Sequence, residues 1–154
     1  MKPFFFVLFA HCLLTVACSP AKKLDQTMVQ QGITGRITVV TGNRMPMVGA
    51  ILPAPKGLVT TVYVYQPTNI SQVTRSENTS LYTSIATKLV ASAETDSSGA
   101  FTIPLAPGSY SIFIRQGKEF YANLFDTKNN IAPFTVEAGK LTPVNLTVSF
   151  NAVY

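Results

Sequence analysis

From Gly32 onward the chain alternates apolar and polar residues with a period of two, and that period constrains the fold more than any other feature. The last run is the cleanest: Val144, Leu146, Val148 and Phe150 alternate with Asn145, Thr147, Ser149 and Asn151. Neighbouring side chains of a strand point to opposite faces, so such a run turns one face to a core and the other to water or a partner. Six earlier runs carry the same signal. Ile33, Gly35, Ile37 and Val39 share a face of the first, and Val62 and Val64 alternate with Thr61, Tyr63 and Tyr65 in the second. Residues 88–95 form the third, and Phe101, Ile103 and Leu105 line the fourth. In the fifth, Tyr110, Ile112 and Ile114 alternate with Ser111, Phe113 and Arg115; Phe134 and Val136 mark a short sixth.

The breaks between these runs carry turn chemistry. In Asp96-Ser97-Ser98-Gly99 the aspartate can bond the backbone ahead and the glycine can take positive φ, and Ala106-Pro107-Gly108 and Ala138-Gly139-Lys140 read the same way. No long amphipathic helix competes with the strands, and the chain favours Thr, Val, Ile, Tyr and Phe over helix formers. The expectation is an all-β chain, a single antiparallel seven-stranded β-sandwich over residues 32–154. Residues 66–87, polar and rich in Ser, Thr and Asn, form an insertion between its second and third strands. With 154 residues there is room for one such domain, and the 12% of charged residues is too low for a disordered chain.

The N-terminus has a different pattern. Lys2 precedes an apolar run, Phe4 to Ala10, and then Leu13-Leu14-Thr15-Val16-Ala17-Cys18. One charge, a short apolar core and a small residue before the break describe an export signal over residues 1–17, too short for a span of about twenty apolar residues. Leu14-Thr15-Val16-Ala17-Cys18 resembles the lipobox of bacterial lipoproteins, although Thr15 stands where that family prefers Leu. The resemblance implies cleavage before Cys18 and acylation of Cys18; more than one acyl chain would anchor the protein stably to a membrane. Ser19, where an Asp would signal retention in the inner membrane, implies the outer membrane, with the face left open. Residues 18–31 are polar and read as the lipidated cysteine and a flexible tether.

The motifs of the sandwich resemble those of the carboxypeptidase regulatory-like domains. These are Gly35-Arg36-Ile37, Met45-Pro46, Gly49-Ala50, Thr95-Asp96, Gly99, Phe101, Pro107-Gly108-Ser109-Tyr110, and Glu137 with Gly139 before the closing strand. The likeness covers about residues 32–150, and residues 51–58 and 66–87 depart from the pattern. It implies a transthyretin-like (prealbumin-like) sandwich with Ig-like Greek-key connections, and a small envelope lipoprotein of Gram-negative bacteria. It implies little about mechanism.

Chemistry is sparse. The only histidine, His11, falls in the export signal, and Cys18 is the only cysteine left after cleavage, which excludes Ser-His-Asp and Cys-His arrangements and most zinc sites. The seven carboxylates, Asp25, Glu77, Glu94, Asp96, Glu119, Asp126 and Glu137, form no Asp-rich calcium loop, and no glycine-rich phosphate loop occurs. Glu94 and Asp96 fall at a strand end and turn, a poor platform for a glycosidase pair. No enzyme, cofactor or metal is expected. The net charge of +5 is scattered without a basic stripe, so no nucleic-acid partner is expected either.

Two features could bind a ligand. Residues 120–130 join aromatics to amides and a carboxylate, with Tyr121, Asn123, Asp126 and Asn129 as candidates; the alternative is a loop pinned by Phe120 and Phe125, with Asp126 and Asn129 in Asx turns. Tyr63 and Tyr65 share a strand face opposite Val62 and Val64 and could form a docking surface, unless Leu81, Tyr82 and Ile85 of the insertion cover them. The expected function is a non-enzymatic, membrane-anchored interaction or scaffold module of the cell envelope with an envelope protein partner. The alternative is a protein that binds a glycan or small ligand.

Overall fold

A computed structural model describes residues 31–45, 49, 52–77 and 79–153, with side chains through Ser149. The expected export signal, Cys18 and nearly all of the tether lie outside the described residues, as do Pro46 and Ala50. The strands in order are β1 (Gly32–Asn43), β2 (Lys56–Gly57), β3 (Thr61–Tyr65), β4 (Val73–Arg75), β5 (Leu81–Ile85) and β6 (Leu89–Glu94). They continue as β7 (Ala100–Pro104), β8 (Gly108–Gln116), β9 (Glu119–Tyr121), β10 (Pro133–Val136), β11 (Leu141–Pro143) and β12 (Leu146–Val153). A single 3-10 turn at Ile70–Gln72 is the only helical element among the described residues.

The strands build two sheets, an all-β sandwich. In the first sheet β1 is central, with β7 and β2 antiparallel on one side and β11 and β12 parallel on the other. The second runs β4-β5-β9-β8-β3-β6, with β10 beside the first half of β8. Ile33, Ile37, Phe101, Ile103 and Val148 of the first sheet and Val62, Val64, Ile112, Ile114 and Val136 of the second belong to one buried core.

All seven expected strands are present, but the purely antiparallel, seven-stranded description needs correction. Five further strands of two to five residues, β2, β4, β5, β9 and β11, are too short or too polar to show a period. The chain's first and last long strands pair in parallel, which the long connection between them permits. Strands β11 and β12 run along β1 in one offset, Gly32 opposite Leu141 and Ile37 opposite Leu146. The ladder breaks between them at Gly35, where a Cβ would lie 1.9 Å from Val144 O. The side chain of Asn145 mends the break, its Oδ1 accepting from Arg36 N–H at 2.9 Å. Val39 shares the face of Ile37 and pairs with the buried Val148; the register then shifts between Val39 and Thr41, and the irregularity buries Val40 as well.

The motifs before β7 and β8 have structural causes. Thr95 is buried at the end of β6, and its Oγ1 donates to Leu58 O at 2.7 Å and accepts from Thr60 N–H at 2.8 Å. In Pro107-Gly108-Ser109-Tyr110 the tyrosine hydroxyl donates back to Ala106 O at 2.9 Å, which fixes the chain's return into β8 as a tyrosine corner does.

Candidate functional site

The tyrosine strand is not an open surface. Val62 and Val64 point into the sandwich as expected, but Tyr65 on the opposite face is only 8% exposed and Tyr63 is half-buried. The insertion covers that face. Its chain leaves β3 with Thr68, whose N–H donates to Ser111 Oγ at 3.0 Å and whose hydroxyl meets that of Thr87 at 2.6 Å. Asn69 then caps the 3-10 turn, and the β4–β5 hairpin returns to pair with β9. Edge-to-face ring contacts fill the space beneath, Tyr65 and Tyr82 each on Phe113 and Tyr63 and Tyr65 each on Phe120. Phe113 and Tyr82 are fully buried, so β8 has a core on both of its faces. Burial pushes the Tyr65 and Tyr82 hydroxyls above their ordinary range, Arg75 opposing the shift at Tyr82. Tyr63 accepts from Arg115 Nη1 at 3.0 Å. The described residues of the insertion are therefore part of the fold, with β4 and β5 extending the second sheet.

Residues 122–132, between β9 and β10, divide into two parts. Asp126 Oδ1 accepts from the N–H groups of Lys128 and Asn130, and its Oδ2 accepts from Asn130 Nδ2, all at 2.8 Å. The bonds from Asn130 hold the Asp126 carboxyl below its usual range. Asn129 takes φ 61° within this turn. Asn69 Nδ2 donates to Lys128 O at 2.8 Å, locking the turn to the insertion. Both candidates thus shape the loop: Asp126 is spent on its own turn, and Asn129 supplies the turn's left-handed residue.

Tyr121 and Asn123 stand elsewhere. Leu81 and Ile114 flank Tyr121 in the sheet, and Ala122 N–H extends this pairing to Ser80 O at 3.1 Å. Both candidates line a cleft of about 280 Å3 together with Thr79, Ser80, Leu81, Gln116 and Ser149. Ser149 comes from β12, so the cleft draws on both sheets. An adjoining recess shares Tyr121 and Asn123 and is walled by Ile112, Ile114, Leu124, Ala132 and Leu146. Leu124 of this recess is 52% exposed.

The structure therefore joins two of the six candidate binding residues, Tyr121 and Asn123, and separates Tyr63, Tyr65, Asp126 and Asn129 from them. Sequence reasoning missed Thr79, Ser80, Gln116 and Ser149. These are small or amide side chains from three distant segments, and their residue types carry no signal until the strands pair. Among the described residues no three His, Cys, Asp or Glu side chains come together. No family model, curated protein or solved structure matches the chain.

Proposed function

We propose that the mature chain is a lipid-anchored, non-enzymatic binding domain of the bacterial cell envelope, tethered at Cys18 and holding a partner at the cleft end of its sandwich. The observation that carries this reading is the cleft itself: a preformed concavity with several convergent polar groups, an aromatic ring and an apolar rim, as binding sites require. The Leu14–Cys18 pattern supports the anchor, and Ser19 supports the outer membrane. The Thr95-Asp96 turn and the Tyr110 corner support kinship with carboxypeptidase regulatory-like sandwiches, because those motif residues fix the β6–β7 and β7–β8 connections. Crosslinking in intact cells tests the reading, with the full-length protein as bait and Cys18→Ala as control. A dominant envelope partner lost in the control is expected. An unanchored wild-type protein, or equal capture by both forms, would overturn it.

A further inference from the structure

We infer that the cleft between the start of β5, the ends of β8 and β9, and β12 takes an uncharged, polyhydroxylated unit, the chemistry of a neutral sugar residue. This rests on the reading of the domain as a binding module and names the ligand class of the same site. The first ground is charge: Thr79, Ser80, Leu81, Gln116, Tyr121, Asn123 and Ser149 include no ionisable acid or base other than a tyrosine. An anionic or cationic ligand would lose its hydration there without gaining a counter-charge.

The second ground is unspent hydrogen-bonding capacity. Among the described residues the side chains of Ser80, Gln116, Asn123 and Ser149 make no hydrogen bond, and Gln116 Oε1 is shut from solvent without a partner. Two hydroxyls and two primary amides supply donors and acceptors together, which suits ligand hydroxyls that both donate and accept. Tyr121 adds an aromatic wall and Leu81 an apolar one, surfaces against which the C–H faces of a sugar ring can pack. The third ground is size. At about 280 Å3 the cleft falls at the small end of ligand sites and holds one compact unit. A longer chain would continue into the adjoining recess, past the exposed Leu124.

The test is calorimetric titration of the full-length lipidated protein in phospholipid vesicles free of sugar-based detergents. The probes are neutral hexose and N-acetylhexosamine oligosaccharides, uronic-acid oligosaccharides and an uncharged Gly-Ala peptide. A neutral oligosaccharide should bind, and Gln116→Met and Asn123→Ala should each weaken it about tenfold, the effect of one lost hydrogen bond. Lys128→Ala should leave the affinity unchanged. Asn123 is exposed, so its substitution keeps the test valid even if Gln116→Met disturbs packing. Tighter binding of the uronic acids, affinity indifferent to both variants, or no oligosaccharide binding would overturn the inference. Binding of the peptide in the sugar's place, sensitive to the same variants, would overturn it too while leaving the binding domain standing. Failure of the domain reading would instead show in cells, as a crosslinking pattern independent of Cys18.

Discussion

In the turn between β6 and β7, Asp96 Oδ1 accepts from the N–H groups of Ser98 and Ala100 at 2.8 and 2.9 Å. In the loop between β9 and β10, Asp126 Oδ1 accepts from those of Lys128 and Asn130, at 2.8 Å each. The main chain repeats the likeness. Gly99 N–H donates to Asp96 O and Asn129 N–H to Asp126 O, while Asp96 and Asp126 N–H donate to Ala100 O and Asn130 O. The fourth residue is left-handed in both, Gly99 with φ 81° and Asn129 with φ 61°. The surroundings differ. The first turn lies against β1 and joins the two sheets, and a Cβ on Gly99 would sit 2.0 Å from Ile37 O. The second exposes Asn129 and meets the insertion, through Asn69 and Ile70. One local device thus serves a turn packed against β1 and an outer turn bonded to the insertion. An aspartate set among aromatics and amides can be wholly spent on its own loop.

The largest effect that would break this comparison is Gly99→Ala, which adds a clash with β1 to a left-handed penalty and should cost roughly 2–4 kcal/mol in urea unfolding. A smaller cost would show that the turn is not pinned to β1. Next come the aspartates: Asp96→Ala should lower the thermal midpoint more than Asp126→Ala, because the outer loop can open without parting the sheets. Asp126→Ala should still raise hydrogen exchange at Ile70, whose N–H donates to Asn129 O at 3.0 Å.

Acid should act on both turns at once. Hydrogen bonds from Ser98 to Asp96 and from Asn130 to Asp126 hold both carboxyls below their ordinary range. The unfolded chain then takes up protons first on acidification, so this stability is present above about pH 4 and is lost as pH falls through the lower folded values. Unfolding midpoints between pH 6 and 2 should show a decline that flattens in an Asp96→Asn, Asp126→Asn double variant. The smallest effect is Asn129→Gly, within about 0.5 kcal/mol of the parent, since asparagine tolerates the left-handed region and nothing crowds it.

The sandwich was legible because its seven periodic strands must hide one face, which writes a period of two into Ile33–Ile37, Phe101–Leu105 and Tyr110–Ile114. The same logic left the face of Tyr65 and Phe113 open, since period alone cannot say whether a second face meets water or other side chains. The covering layer was unreadable for a related reason. Residues 66–87 are held by Thr68, Thr87, Asn69 and Ser111, polar side chains whose bonds span long sequence separations and leave no local pattern. The cleft was half legible. Tyr121 and Asn123 drew notice as an aromatic and an amide in sequence, whereas Gln116 and Ser149 acquire meaning only when β8 and β12 bring them to one end of the sandwich.

The central claim is that this end of the molecule, and neither the tyrosine strand nor the Asp126 turn, meets the partner. The most direct measurement places a photo-reactive residue at position 123, and separately at 63 and 128, in the anchored protein in living cells. The account predicts one dominant adduct from position 123, reduced by Gln116→Met, and none from 63 or 128. A strong adduct from 63 or 128 with none from 123 would contradict it.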